Sequence, residues 1–122
     1  MSEQTVYLTF DDGPMPGSDD IIQVLNGKKV KGTLFMIGAH VSSSWRQSLV
    51  NAAHKNPYVE VGNHSNTHAN HKYAAYYSKP ENVVEGFKKA DDVLALKGPR
   101  IIARLPGRNT WRVGNIIKSD LG

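Results

Sequence analysis

Hydrophobic residues along this chain come in short β-branched and aromatic runs. Each is broken by Gly, Pro or polar residues and followed by a stretch of three- and four-residue apolar spacing. "TVYLTF" (5–10) predicts a strand, stopped by "DDGPMPG" (11–17), whose two prolines and two glycines prevent its continuation. Ser18 with Asp19 and Asp20 predicts a helix start, Ile21, Val24 and Leu25 its apolar face, and Asn26-Gly27 its end. "GTLFMIG" (32–38) predicts a second strand covered on both faces, followed by a helix striped by Val41, Trp45, Leu49 and Ala52. "YVEVGNH" (58–64) predicts the third strand, and the helix after it is the best signalled. Ser78, Lys79, Pro80 and Glu81 form a capping box with Pro in the first turn. Val83, Phe87, Ala90 and Leu94 form the stripe, and Gly98-Pro99 the close. "RIIARLP" (100–106) predicts a fourth strand and "WRVGNIIKSDLG" (111–122) a weaker helix.

Four strand–helix units predict an α/β fold with a parallel sheet. Right-handed crossovers then bring every strand's C-terminal end to one rim, where open sheets and barrels alike place their chemistry. Useful side chains are therefore expected just after each strand.

Composition narrows the class without changing this picture. The 122 residues are 39% hydrophobic and 21% charged, as in one ordinary globular domain. The absence of Cys excludes a disulfide framework and a thiolate metal site but leaves the redox compartment open. No apolar run approaches the roughly 20 residues of a membrane span, and "MSEQTVYLTF" lacks the basic-then-apolar order of a signal peptide. Localisation stays unassigned on these grounds. The net charge of +4 is lopsided: residues 97–122 hold six bases against Asp120, a net +5, which leaves the first 96 residues at −1. An anionic partner and acidic neighbours lying outside this chain both explain such a segment. No nucleic-acid recognition motif accompanies the charge, so nucleic acid is not an expected partner.

The rim positions carry the chemistry. Asp11 and Asp12 alone would pass for turn residues. "HSNTHANH" after the third strand places His64, His68 and His71 within eight residues, among polar residues rather than on an apolar stripe. His64 and His68, four apart, are expected on one face of a helical turn, with His71 at the surface or behind the ligands. Two His and one Asp make a three-ligand set of N and O donors that leaves a coordination position open. The other Asp is then available as general base, provided the backbone turns at Gly13-Pro14. Arg104, after the fourth strand, is either a solvated charge or the partner that orients that base. Pro106 and Gly107 make a tight turn whose N–H groups can face an oxyanion. His40, after the second strand, also lies on the rim.

"TFDDGP", "HSNTH" and "RLPG", with "GTLFMIG" between the first two, resemble the motifs of the polysaccharide deacetylase family, or NodB-homology domain, from Val6 onward. The resemblance implies a metal-dependent hydrolase that removes acetyl groups from sugars in chitin, peptidoglycan or related polymers, with metal-bound water as nucleophile. Carried over by position, Asp11 is the general base, Arg104 orients it, and Asp12, His64 and His68 bind zinc, with cobalt or nickel as alternatives. The Gly107 N–H faces the oxyanion, and Pro106 shapes the substrate cleft. The family's usual aromatic after the motif-three proline is Gly107 here, followed by Arg108 where the family tends to have Gly. The implied fold is the first four units of a deformed seven- or eight-unit (β/α) barrel, which takes about 200 residues when whole. Residues 1–122 would form a partial domain. The family's later Trp and general-acid His are not placed in this sequence, so a metal- or glycan-binding module without turnover is the alternative. Family members are mostly secreted or envelope proteins. An open edge at the fourth strand would further favour self-association.

Overall fold

The computed structural model describes residues 3–112. Strands β1 (Leu8–Gly13), β2 (Gly32–Met36) and β3 (Val59–Asn63) form a parallel sheet in that order. Helices α1 (Ser18–Lys28), α2 (Ser44–Lys55), a short α3 (Tyr73–Tyr77) and α4 (Pro80–Val93) alternate with them. The expected parallel strand–helix architecture is present. The fourth strand is reduced to a single parallel bridge between Asn63 and Ala103. The Asn63 N–H donates to the Ile102 carbonyl and the Asn63 carbonyl accepts the Arg104 N–H, the two bonds that make this bridge.

Alternation divides the sheet. Leu34 and Met36 of β2 and Val61 of β3 face the helices and join Ile22, Leu25, Val50, Ala53, Ala90 and Leu94 in one core. The opposite face carries Thr9, Asp11, Phe35 and Gly62; Asp11 lies beside Phe35 in the register, and Phe35 beside Gly62. A Cβ on Gly62 would stand 2.6 Å from the Phe35 ring, so only glycine leaves that ring its place beside β3.

Several element boundaries differ from expectation for local reasons. β1 begins at Leu8 rather than Thr5, because its partner β2 begins at Gly32, opposite Leu8; Val6 and Tyr7 are exposed. The two aspartates therefore lie inside the end of the strand rather than beyond it. α1 runs through Asn26-Gly27 and is closed by Lys29 in the left-handed region (φ 54). Its buried residues are Ser18, Ile22 and Leu25, at i, i+4 and i+7, while Val24 is exposed. In α2 the Ser43 side chain caps the Arg46 N–H, so Val41 precedes the helix. The buried face is Leu49, Val50 and Ala53, leaving Trp45 and Ala52 outward. The capping box before α4 does not form: Ser78 Oγ donates to the Ala75 carbonyl at the end of α3, and Lys79 stands at the cap with no side-chain bond. Pro80 does open the helix, and Ala90 and Leu94 are buried as expected, but the chain turns at Ala95 (φ 54), before Gly98. The last predicted helix lies, from residue 113 onward, outside the described residues; Trp111 ends a short turn, Arg108–Trp111. No helix among the described residues is long and apolar enough to cross a membrane.

Candidate active site

A cleft of about 660 Å³ opens at the C-terminal rim, within the usual size range of small-molecule sites. Asp11, Asp12, His64, His68 and Arg104 all line it.

β1 delivers the two aspartates to different places because the chain bends at Asp12 itself. The register slips between Asp11 and Gly13, and Asp12 takes φ 78, a conformation Asp tolerates better than most residues. The turn expected at Gly13-Pro14 thus starts one residue earlier. The bend is clamped from the second unit: His40 Nδ1–H donates to the Asp12 carbonyl (2.6 Å) and Arg46 Nη1 donates to the Pro14 carbonyl (2.8 Å). His40, whose role the sequence left open, supports the backbone of the site through this contact.

Beyond β3 the chain stays paired for three more residues with the end of β2 and the turn that follows it. The His64 N–H donates to the Met36 carbonyl, and the Ser65 and Asn66 carbonyls accept from Gly38 and Ala39. His64 and His68 do not sit on a helical turn. Ser65 has φ 68, and His68, Ala69, Asn70 and His71 all have φ between 50 and 57. Four successive left-handed residues other than glycine are costly, at roughly 1–2 kcal/mol each, and such strain persists where surrounding contacts over-determine it. Here the Ser65 Oγ accepts the His68 N–H (2.9 Å).

Asn63 anchors this loop. Its amide donates to the Phe87 carbonyl (2.8 Å) and to Asp91 Oδ1 (2.7 Å) of α4, while its side-chain oxygen accepts the Ser65 N–H (2.8 Å). It is 1% exposed, so these three partners have no water to turn to. Asn63→Leu is expected to cost about 3 kcal/mol of stability, one to three per abandoned group less what relaxation recovers, seen as a lowered denaturation midpoint.

Asp12 Oδ1, His64 Nε2 and His68 Nε2 converge. The carboxylate oxygen is 3.3 Å from the first imidazole nitrogen and 3.5 Å from the second, and all three atoms lie within 4.8 Å of one another. A tetrahedral zinc with bonds of about 2.0–2.1 Å separates its donor atoms by roughly 3.3–3.4 Å, which the two distances from Asp12 match. Asp12 Oδ1 is buried and has no hydrogen-bond partner among the described residues, a place that a cation would fill. The imidazoles are presented correctly. His64 Nδ1–H donates to the Arg104 carbonyl (2.8 Å), which leaves the Nε2 lone pair facing Asp12. Burial, partly opposed by Asp12, lowers the His68 pKa below its ordinary value and favours the neutral, ligating form. His71 is exposed, and its Nδ1 lies 3.2 Å from Tyr73 Oη; it is outside the converging set.

Asp11 is held apart from these ligands. Arg104 Nη1 donates to Asp11 Oδ1 (2.8 Å) and to Thr9 Oγ1 (3.1 Å), and its guanidinium lies 4.3 Å above the Phe35 ring. Of the two possibilities for Arg104, the paired one is observed. The other oxygen, Asp11 Oδ2, faces the ligand group, 3.9 Å from His64 Nε2. Gly107 lines the cleft in the left-handed region (φ 81). Pro106 is fully buried behind the turn, and its carbonyl accepts the Tyr77 hydroxyl. Burial pushes the Tyr77 phenol well above its usual pKa, so it remains a donor. Two cleft-lining aromatics, Tyr73 and Trp111, carried no signal in the sequence, since neither follows a strand.

The sequence profile described as "Polysaccharide deacetylase" matches residues 1–107. A peptidoglycan-N-acetylglucosamine deacetylase of Bacillus cereus is 36% identical over 100 residues, covering 72% of this chain and 40% of that protein. A chitooligosaccharide deacetylase of Bradyrhizobium is 40% identical over 68 residues, 53% of this chain and 29% of that one. The crystal structure of a polysaccharide deacetylase from Bacillus cereus superposes with a TM-score of 0.69 at 31% identity, covering 84% of this chain and 47% of the other. The chain thus spans less than half the length of these relatives and carries the corresponding part of their (β/α) barrel. With most of its length matched by the profile and its fold shared, the chain belongs to the polysaccharide deacetylase family.

Proposed function

We propose that residues 1–122 form part of a deacetylase domain that hydrolyses the acetamide of N-acetylated sugars in a glycan. The observation that carries this reading is the convergence of Asp12, His64 and His68 donor atoms within 4.8 Å of one another, beside an aspartate paired with arginine. The names of the two relatives, one directed to peptidoglycan N-acetylglucosamine and one to chitooligosaccharide, support an N-acetylglucosamine unit as the substrate class.

Asp12, His64 and His68 would hold a divalent ion, with zinc favoured by two imidazoles and a carboxylate and cobalt or nickel suited to the same donors. Such an ion supplies Lewis-acid polarisation of the acetyl carbonyl and acidifies the attacking water. Arg104 occupies Asp11 Oδ1, which leaves Oδ2 to take the proton from that water. The Gly107 N–H donates to the carbonyl oxygen as negative charge develops on it. Tyr77 holds the Pro106 carbonyl and so fixes the turn that presents this donor.

Acetate release from chitooligosaccharide and from acetylated peptidoglycan, measured with zinc, cobalt or nickel and again after chelation, tests the proposal. Metal-dependent release that chelator abolishes and zinc restores is the expected result. One metal bound per chain with no acetate under any metal would instead identify a binding module.

A further inference from the structure

Gly107 contributes only backbone to the cleft, at the position where the family resemblance leads one to expect an aromatic side chain. The surroundings account for the exchange. A Cβ on Gly107 would overlap Thr110 Oγ1 and stand 2.6 Å from Cε1 and 2.7 Å from Cδ1 of Tyr73, well inside contact distance. The positive φ of 81 adds strain for any other residue. The space beside the turn is therefore already filled, by the ring of Tyr73 at the first residue of α3.

That ring is half-buried and fixed. It stands edge-on to His68 (centroids 5.9 Å apart, 76° between planes) and to His71 (6.2 Å, 86°). Its hydroxyl oxygen lies 3.4 Å from His68 Nδ1 and 3.2 Å from His71 Nδ1. Trp111 lines the same cleft but is 50% exposed. Tyr73 thus combines a rigid aromatic surface with a place directly beside the ligand group.

We propose that Tyr73 is the aromatic side wall of the sugar cleft, providing from α3 the stacking face that the motif-three turn lacks. A pyranose presents an apolar C–H face, and a flat ring held by its neighbours packs against it at little cost in side-chain entropy. This assignment rests on the reading of the cleft as an N-acetyl-sugar site.

The test compares the full chain, zinc-loaded, as wild type, Tyr73→Phe and Tyr73→Leu, measuring zinc affinity and chitotetraose binding by calorimetry. Both variants lack the hydroxyl, so the difference between them isolates the ring. Leu is expected to bind chitotetraose roughly three- to tenfold more weakly than Phe, the range of an aromatic contact, with equal zinc affinity in the two variants. Tyr73→Met serves as a second non-aromatic replacement should Leu fail to fold. Equal glycan binding by the Phe and Leu variants would overturn the assignment. So would parallel loss of zinc and glycan affinity in Leu, which marks a merely structural residue. A zinc-loaded wild type that binds no N-acetylated oligosaccharide would overturn the sugar-site reading itself, and the wall with it.

Discussion

Asp12→Asn is expected to lower zinc affinity by more than the 10–100-fold that loss of an outer-shell partner costs, because it removes a ligand outright. The substitution is chosen to be quiet elsewhere. Asn is among the few residues that accept a left-handed backbone, so φ 78 can be retained, and the carbonyl bound by His40 belongs to the main chain. The amide would still stand between two imidazole nitrogens, 3.3 and 3.5 Å away in the wild type, but as a neutral, weak ligand. Zinc titration by calorimetry, paired with thermal unfolding of the metal-free protein, checks both halves of the expectation. Unchanged zinc affinity would remove Asp12 from the ligand set.

Asp11→Asn should separate from this cleanly. Zinc affinity is expected to stay within a few-fold of wild type, since Asp11 Oδ2 is 3.9 Å from the nearest ligand nitrogen and lies outside the converging set. Acetate release is expected to fall by about 10²–10⁴, the usual contribution of a positioned general base. Asn preserves the size of the side chain, and its amide oxygen can still accept from Arg104, so the guanidinium need not leave the Phe35 face. Single-turnover measurement with saturating zinc isolates the chemical step. An Asp11→Asn enzyme with full turnover would place the base elsewhere.

The strand–helix order was legible because β-branched runs and Gly/Pro breaks are local signals, and the two motifs that supply the ligands were legible because they are contiguous. What depended on distant contacts was not. A stripe of three- and four-residue spacing fixes a period but not which neighbour covers it, so in α1 and α2 the buried residues include Ile22 and Ala53, one position on from the expected Ile21 and Ala52. The capping box at Ser78 satisfied its local pattern, yet α3 ends just before it and takes the hydroxyl for its own carbonyl. The left-handed turn at His68–His71 has no glycine to announce it; its residues are held by tertiary contacts that overrule their preference. His40 and Tyr73 meet the site across the fold. Nothing in "GAH" or "KYAAYY" says that one ring will reach the Asp12 carbonyl and the other will fill the space beside Gly107.

The ligands come from β1 and from the loop beyond β3, strands that flank β2 and do not pair with each other. An ion bound by Asp12 and the two histidines would therefore cross-link the sheet over its full width, closing the chain between positions 12 and 64 in a single covalent-like tie. Ligand binding to the native state alone adds RT ln(1 + [L]/Kd) to stability. The same ion that prepares the chemistry would thus act as a clasp, and metal supply would set how tightly this sheet is held together as well as whether the site can react.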